Sequence, residues 1–290
     1  METAAALAVA ALPSPDAAAL PSLESLPNAQ ITFELVCHPS FPPPSASLEE
    51  VAEFIFTSID DTNEAPLHYG ICEVPILSPF GVALLGARTA PLIGRGGAGV
   101  GSMHMGGSGS DILALFPRLL KELGERLAPL FALLYRPPGA PLPELHRFSA
   151  HCIAYGTGPS RETALRLHTD ASLFTATICV RATPDLRGTE LVFHGAQGLL
   201  LPRLALMQAR YALARRQGGV DVKNGEDGNN HVQKLPRAGH ALLHLGAHPH
   251  RTLPVEAGER MSWVLWWHGS ERGGAAGATA AAAAEGGKEA

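Results

Sequence analysis

LRLHTDASLFTATICV at residues 165–180 and GTELVF at residues 188–193 decide the class of fold that this chain can adopt. Both are rich in β-branched and aromatic residues and are bounded by short polar turns, which is typical of strands that pack on a core. Similar runs occur at residues 146–155 (HRFSAHCIAY), 240–246 (HALLHLG) and 260–267 (RMSWVLWW). The second half of the chain therefore predicts a domain built mainly from short strands.

The first half of the chain has a helical periodicity. Ser47 begins the segment SLEEVAEFIF, with apolar residues at helical spacing and acidic residues in the first turn, so a capped helix is predicted. A longer leucine-rich helix is predicted from Ser110 or Asp111 to Tyr135, ahead of Arg-Pro-Pro-Gly. Residues 31–37 (ITFELVC) are predicted to form a short strand.

Helices followed by a run of strands indicate an α+β fold with a mainly β core. Several strands of even length favour a sandwich or a jelly roll (double-stranded β-helix) with supporting N-terminal helices. We expect residues 62–110, which include the glycine-rich stretch 94–110, to be loop. Four segments are predicted: a disordered Ala/Pro-rich N-terminus (1–28), a helical support region with the glycine-rich loop (29–145), the jelly-roll core with an insertion at 199–235 (146–268) and a disordered tail (269–290).

The bulk composition argues against some classes of function. A net charge of -5 over 290 residues gives no basic surface for nucleic acid. The N-terminus has Glu2 and no positive region, and no apolar stretch is long enough to span a bilayer. We therefore expect a soluble, cytoplasmic protein. Four widely spaced cysteines without a C-x-x-C pair are predicted to be free thiols in a reducing compartment: Cys37, Cys72, Cys152 and Cys179.

A candidate metal site is formed by His168, Asp170 and His250. In a strand, residues two apart point to the same face with Cα atoms roughly 6–7 Å apart, so His168 and Asp170 can bind one ion. His250 would reach the same ion from a neighbouring strand. Two imidazoles and one carboxylate leave coordination positions open, and this set is typical of non-haem Fe(II) centres that bind O₂.

Arg260 and Ser262 indicate a carboxylate ligand beside this metal. They share a face of the predicted strand at 260–267, where a guanidinium next to a hydroxyl can hold a carboxylate. His248 shares a strand face with His250 and is an alternative ligand, or a neighbour of the metal or of the substrate. Four histidines are crowded in this segment: His240, His244, His248 and His250.

These motifs resemble the 2-oxoglutarate- and Fe(II)-dependent dioxygenase superfamily, in particular its prolyl 4-hydroxylase and lysyl hydroxylase branches. Those families have an H-x-D pair, a G-G-E-L-x-F-like strand and a later H-x-x-x-P-V-x-x-G-x-(R/K) segment. Here the strand runs from Gly188 to Phe193 and the last segment from His250 to Arg260. The resemblance covers about residues 115–268, with Thr189 in place of the usual Gly and with the insertion at 199–235 as departures.

The resemblance implies a hydroxylation of a C–H bond in which 2-oxoglutarate is decarboxylated to succinate, with ascorbate as the reductant of iron. His250 is favoured over His248 because only His250 has the family spacing to Arg260. The implied cofactors are Fe(II), 2-oxoglutarate and ascorbate. The implied roles are iron ligation by His168, Asp170 and His250, pairing of Arg260 with the distal carboxylate of 2-oxoglutarate, an R-x-S arrangement through Ser262, and contact of Tyr155 with the co-substrate.

Two other classes of function remain as alternatives. A catalytically silent jelly-roll binding protein would have no need of the complete ligand set together with Arg260. A zinc hydrolase with the same three ligands would lack a general-base carboxylate and would leave Arg260 without a role. The glycine-rich loop has no lysine in a P-loop position, so we expect a surface loop there. A peptidyl proline, a peptidyl lysine and a small molecule remain open as substrates.

Overall fold

The computed structural model describes residues 27–43, 45–58, 70–92, 109–135, 145–158, 161–195 and 231–269. Two 3₁₀-helices lie at Asn28–Gln30 and Ala90–Leu92. Most of the predicted disordered ends, of the glycine-rich loop and of the insertion lie outside the described residues. The α-helices of the described ranges are α1 (Phe33–Val36), α2 (Leu48–Ser58), α3 (Pro79–Thr89), α4 (Gly109–Leu115) and α5 (Pro117–Tyr135).

Antiparallel strands make up most of the described second half of the chain. They are β1 (Cys72–Pro75), β2 (Leu145–Tyr155), β3 (Leu165–His168), β4 (Phe174–Ala182), β5 (Arg187–Gly188), β6 (Leu191–His194), β7 (His231–Lys234), β8 (His240–Leu245), β9 (His250–Thr252), β10 (Val255–Ala257) and β11 (Arg260–Gly269). One sheet has the order β1-β8-β4-β11-β2, a second has the order β3-β9-β6-β7, and β10 pairs with β5. The predicted mainly β core preceded by helices is confirmed.

The start of α2 agrees with the sequence prediction. The Ser47 hydroxyl accepts a hydrogen bond from the Glu50 backbone N–H at 3.2 Å, and the Glu50 carboxylate accepts one from the Ser47 N–H at 2.6 Å. This reciprocal pair is a capping box, which satisfies two N–H groups that the helix itself leaves unpaired.

The strand predicted at residues 31–37 is wrong, because Phe33–Val36 form helix α1. The backbone N–H of Phe33 donates to the Glu122 carboxylate of α5 at 2.7 Å, which satisfies a free N–H at the helix start. Phe33 and Val36, one helical turn apart, are both buried, whereas Leu35 is 36% exposed. Only an isolated bridge between Cys37 and Leu77 has β geometry here.

The single helix predicted up to Tyr135 is two helices, α4 and α5, separated at Phe116. Pro117 is the first residue of α5, and a proline without an N–H favours a new helix start over continuation of the previous helix. The expectation of loop at 62–110 is also wrong in part, because β1 and α3 lie there. Ser78 caps α3 by accepting from the Gly81 N–H, ahead of Pro79.

The helices cover one face of the five-stranded sheet. Alternate residues of β11 belong to the main core, which they share with α5. Trp263 packs on Phe116 and Trp267 on Phe131, with ring centroids 5.1 and 4.9 Å apart. The intervening residues of β11 begin with Arg260 and face the four-stranded sheet. This alternation puts a hydrophobic core and a polar pocket on opposite faces of one sheet.

All four cysteines are free thiols, and three of them are buried. Burial raises the pKa of Cys72 and of Cys152 to about 12. Among the described residues, no helix has the length and apolar character that a membrane crossing requires.

Candidate metal centre

Strand pairing brings His168 and His250 together. β3 and β9 are antiparallel neighbours, and His168 at the end of β3 is the register partner of His250 at the start of β9. Asp170 lies in the turn after β3, where its backbone N–H donates to the Gly246 carbonyl at 2.8 Å. Side-chain ligand atoms of His168, Asp170 and His250 all lie within 4.8 Å of one another. The structure thus brings the three predicted ligands to one point.

Hydrogen bonds to backbone carbonyls orient both imidazoles. Nδ1 of His168 donates to the Arg166 carbonyl at 2.7 Å, and Nδ1 of His250 donates to the His248 carbonyl at 2.8 Å. A carbonyl can only accept, so Nδ1 carries the proton in each ring and Nε2 keeps its lone pair. Bonds of this kind commonly orient histidine ligands of metals.

The remaining polar atoms of the three side chains fit a metal ion. Nε2 of His168 and Oδ1 of Asp170 are buried without a hydrogen-bond partner among the described residues. They lie 3.6 Å apart, and Nε2 of His250 lies 3.9 Å from Oδ2 of Asp170, which is too long for a hydrogen bond. An unsatisfied buried polar group costs about 1–3 kcal/mol, so these donors suit a cation placed between them.

A second set of histidines surrounds Phe193, which is fully buried. Its ring centroid lies 5.0 Å from His244, 5.2 Å from His248 and 5.4 Å from His250. Nε2 of His248 donates to the Gly195 carbonyl at 2.8 Å, and His248 lies outside the three-residue group. His248 thus lies beside the group of His168, Asp170 and His250 rather than within it.

Burial lowers the pKa of several of these imidazoles. It lowers the pKa of His244 well below the ordinary range, with a smaller contribution from His250. It also lowers the pKa of His250, although Asp170 opposes the shift. The neutral imidazole is the form that binds metal ions, so the buried setting favours the ligand state of His250.

One pocket contains the three candidate ligands together with Arg260. It has an empty volume of about 330 Å³, including its open mouth. Asp170 is the only acidic residue among its described lining residues, so the zinc-hydrolase alternative finds no second carboxylate there as a general base. The lining residues come from both sheets and the turn after β3: Ile153, Tyr155, Leu165, His168, Asp170, Thr177, Leu191, His250, Thr252, Arg260, Ser262 and Val264.

Arg260 is buried without an ion-pair partner among the described residues. It is 1% exposed, its Nε and Nη1 have no hydrogen-bond partner, and it forms no ion pair with any described residue. Burial lowers the pKa of the guanidinium, and neighbouring Tyr155 opposes the shift. The Ser262 hydroxyl, also in the pocket, is likewise buried without a hydrogen-bond partner in the part of the chain that the structure describes. A cationic group and a hydroxyl therefore lie in the pocket where an anionic ligand could bind, and the predicted roles of Arg260 and Ser262 stay predictions.

Tyr155 supports Arg260 from the adjacent strand. The two residues are register partners on β2 and β11, and the guanidinium carbon lies 4.6 Å from the centroid of the Tyr155 ring. The phenol and the Thr252 hydroxyl are 3.2 Å apart, which links the two sheets. The tyrosine lines the pocket, and its predicted contact with a co-substrate stays a prediction.

The sequence analysis did not predict several residues of the site. Thr175 donates to Asp170 at 2.7 Å, Thr252 bonds to Tyr155, and Phe193 packs among the histidines. Thr175 and Thr177 alternate in an otherwise apolar run, and this was the one available signal that a strand face points into a polar pocket.

No protein-family model matches the chain, and no curated protein matches its sequence. Solved structures resemble its fold. A prolyl-4-hydroxylase from Pseudomonas putida has 16% identity and a TM-score of 0.43, with 72% of this chain and 93% of that chain covered. The non-haem α-ketoglutarate-dependent epimerase SnoN from nogalamycin biosynthesis has 18% identity and a TM-score of 0.43, with 76% and 82% covered.

A 2OG-Fe(II) oxygenase family oxidoreductase from Burkholderia pseudomallei has 16% identity and a TM-score of 0.41, with 79% of this chain and 96% of that chain covered. Likeness at this level carries no conclusion about function. The function of this chain must therefore be inferred from the side chains in its pocket.

Proposed function

We propose that this chain is a 2-oxoglutarate- and Fe(II)-dependent oxygenase that hydroxylates a C–H bond of its substrate. One observation carries the proposal: the group of His168, Asp170 and His250 lines the same pocket as a buried Arg260 that has no ion pair with any described residue. Each feature alone fits many proteins. Together they fit a metal-bound small molecule with a carboxylate at its far end.

The protein side chains divide into metal-binding and anion-binding groups. His168, Asp170 and His250 would hold Fe(II), for which two imidazoles and a carboxylate are a typical donor set. Arg260 would pair with the distal carboxylate of 2-oxoglutarate, with Ser262 as a second donor. When bound, the two cofactors supply the oxidation: O₂ is consumed, 2-oxoglutarate becomes succinate and CO₂, and the substrate C–H bond becomes C–OH.

The rest of the pocket would shield this chemistry from water. Ile153, Val264 and Leu191 are buried lining residues from β2, β11 and β6. Apolar walls at such a site exclude water and strengthen the pairing of Arg260 with an anion. We further propose that the two sheets form a jelly roll, the double-stranded β-helix. Support comes from the pocket itself, which is lined by both sheets.

For the substrate class, we keep the candidates that the sequence left open. We retain a peptidyl proline, a peptidyl lysine and a small molecule as candidates, together with ascorbate as the reductant. Nucleic acid is disfavoured by the net charge of -5. A catalytically silent binding protein is the alternative, and the following experiment separates it from an enzyme.

The first test is an anaerobic titration of Fe(II) into the metal-free protein in the presence of 2-oxoglutarate. We expect a visible metal-to-ligand charge-transfer band in wild type. His250→Ala should lose the band, because one of three ligands is gone. Arg260→Ala should need far more 2-oxoglutarate to develop it, because the distal carboxylate loses its cation.

The control variants are His38→Ala and Arg181→Ala, which alter residues outside the pocket lining. Both should give the wild-type band at the wild-type concentration of 2-oxoglutarate. Absence of the band in a folded wild-type protein would overturn the proposal and favour the silent scaffold. Release of succinate under air, measured on the same samples, reports turnover separately from binding.

A further inference from the structure

A chain of two hydroxyl groups leads to the carboxylate of Asp170. The Thr175 hydroxyl donates to Oδ2 of Asp170 at 2.7 Å, and the Ser172 hydroxyl lies 2.9 Å from the Thr175 oxygen. Thr175 is fully buried and Asp170 is 8% exposed. Thus the hydrogen bond to Asp170 is formed where water does not compete strongly with it.

The direction of the hydrogen bonds follows from their end point. A carboxylate oxygen only accepts, so the Thr175 hydroxyl proton must point to Asp170. The Thr175 oxygen is then an acceptor toward Ser172, whose hydroxyl donates to it. The order is Ser172 to Thr175 to Asp170.

This chain makes the two oxygens of Asp170 unequal. Oδ2 has a short hydrogen bond, whereas Oδ1 is buried without any partner among the described residues. We propose that Thr175, supported by Ser172, is a positioning residue that holds Oδ2 and leaves Oδ1 as the free donor to the metal. The inference rests on the proposed function, and it concerns how hydrogen bonds orient the Asp170 carboxylate toward the metal.

The position of Thr175 suits such a role. β4 is an inner strand with β8 and β11 as neighbours, and Thr175 is paired with His244 on one side and Trp266 on the other. A hydroxyl on a strand held from both sides has little freedom to move. The carboxylate lies in the turn after β3, so a hydroxyl on the paired strand β4 can hold its orientation.

The test measures binding of Co(II) to the full-length, metal-free protein by its visible absorption. Thr175→Val keeps the shape of the side chain and removes the donor, and we expect about 10–100-fold weaker Co(II) binding with an altered spectrum. Thr175→Ser restores the hydroxyl and should bind close to wild type. Ser172→Ala should weaken binding in the same direction but by less.

The matched control is Thr89→Val. Thr89 is fully buried and its hydroxyl donates to the Leu85 carbonyl at 2.6 Å, but it lies in α3 and outside the pocket lining. This variant should bind Co(II) as wild type does. Thermal melting of each variant shows whether it is folded.

Each outcome decides the inference. Wild-type affinity and spectrum in Thr175→Val would overturn it while leaving the metal centre intact. If Thr175→Val does not fold, Ser172→Ala decides, and wild-type affinity there would overturn it. A folded wild-type protein that fails to bind Co(II) would overturn the proposed function, and the positioning role with it.

Discussion

A guanidinium buried without a counter-charge destabilises the ligand-free protein that contains it, because the ion is removed from water and nothing replaces the lost hydration. Arg260 approaches this position, because it has no ion pair with any described residue and its Nε and Nη1 have no hydrogen-bond partner among them. We expect Arg260→Met to increase the free energy of unfolding of the ligand-free protein by about 1–3 kcal/mol, measured by urea denaturation. The same variant should lose binding of 2-oxoglutarate.

Arg181→Met is the control for this prediction, since Arg181 is exposed on β4 and lies outside the pocket lining. Arg181→Met should leave the free energy of unfolding and the binding of 2-oxoglutarate near their wild-type values. A fall in the stability of Arg260→Met would mean that the guanidinium is satisfied in the free protein, against the geometry described above.

At the same scale, local spacing in the sequence was enough to predict which residues lie together in the pocket. His168 and Asp170 are two residues apart, and His250 has a distinctive spacing to Arg260. It did not find Thr175, because a threonine in a strand gives no sign of which side chain it will meet. That contact depends on the turn between Asp170 and β4, which folds back on the strand.

Among the elements, helix α1 depends on a carboxylate from far along the chain. The Phe33 N–H donates to Glu122, 89 residues away. Burial alone would raise the pKa of Glu122, but the hydrogen bonds from Phe33 and Arg118 outweigh it and lower the pKa overall. With a lowered folded-state pKa, the stabilisation is complete above the unfolded pKa of about 4.3 and is lost as the pH falls through the folded value.

We therefore expect Glu122→Gln to lower the free energy of unfolding by about 1 kcal/mol at pH 7. The difference from wild type should shrink below about pH 4, as the wild-type carboxylate takes up its proton. Denaturant unfolding at a series of pH values measures it. A difference that stays constant across the series would show that the charge on Glu122 is not what caps the helix.

The turn that contains Asp170 closes against β8 at a glycine. A Cβ on Gly246 would collide with the carbonyl oxygen of Ser172, whereas the nearest atoms to a Cβ on Gly124 in α5 are 3.9 Å away. We expect Gly246→Ala to destabilise the protein by about 1–3 kcal/mol and to weaken metal binding, because the turn must move. Gly124→Ala, by contrast, should be neutral or stabilising by about 0.5–1 kcal/mol.

Thermal melting measures the stability of both variants, and Co(II) titration measures their metal affinity. Wild-type metal affinity in Gly246→Ala would show that the turn can shift without moving Asp170.

The elements themselves were predictable where the signal is local. The capping box of α2 and the strands of the second half follow from nearest neighbours in sequence. Helix α1 was missed because its cap comes from Glu122, and the break at Pro117 was missed because the leucine pattern continues across it. The pairing of β3 with β9 depends on the whole sheet and has no local signal.

At the scale of the whole molecule, we expect the stabilisation of the folded protein by 2-oxoglutarate to depend on bound metal. Arg260 can hold a carboxylate, but the other end of the ligand needs the metal. We expect 2-oxoglutarate to raise the melting temperature strongly only when Co(II) is present. A concentration of 2-oxoglutarate equal to 100 times its dissociation constant would stabilise the folded state by about 2.7 kcal/mol. An equal shift without metal would indicate an anion site that does not involve His168, Asp170 and His250.

The alternation along β11 has a consequence for how this chain can evolve. Met261, Trp263, Leu265 and Trp267 belong to the core, whereas Arg260, Ser262 and Val264 line the pocket. A saturation mutagenesis of residues 260–265 should therefore separate into two interleaved phenotypes, with loss of protein abundance at 261, 263 and 265 and loss of the proposed activity at 260, 262 and 264. Selection for a new chemistry can therefore act on the pocket-lining residues of the strand separately from the residues that form the main core.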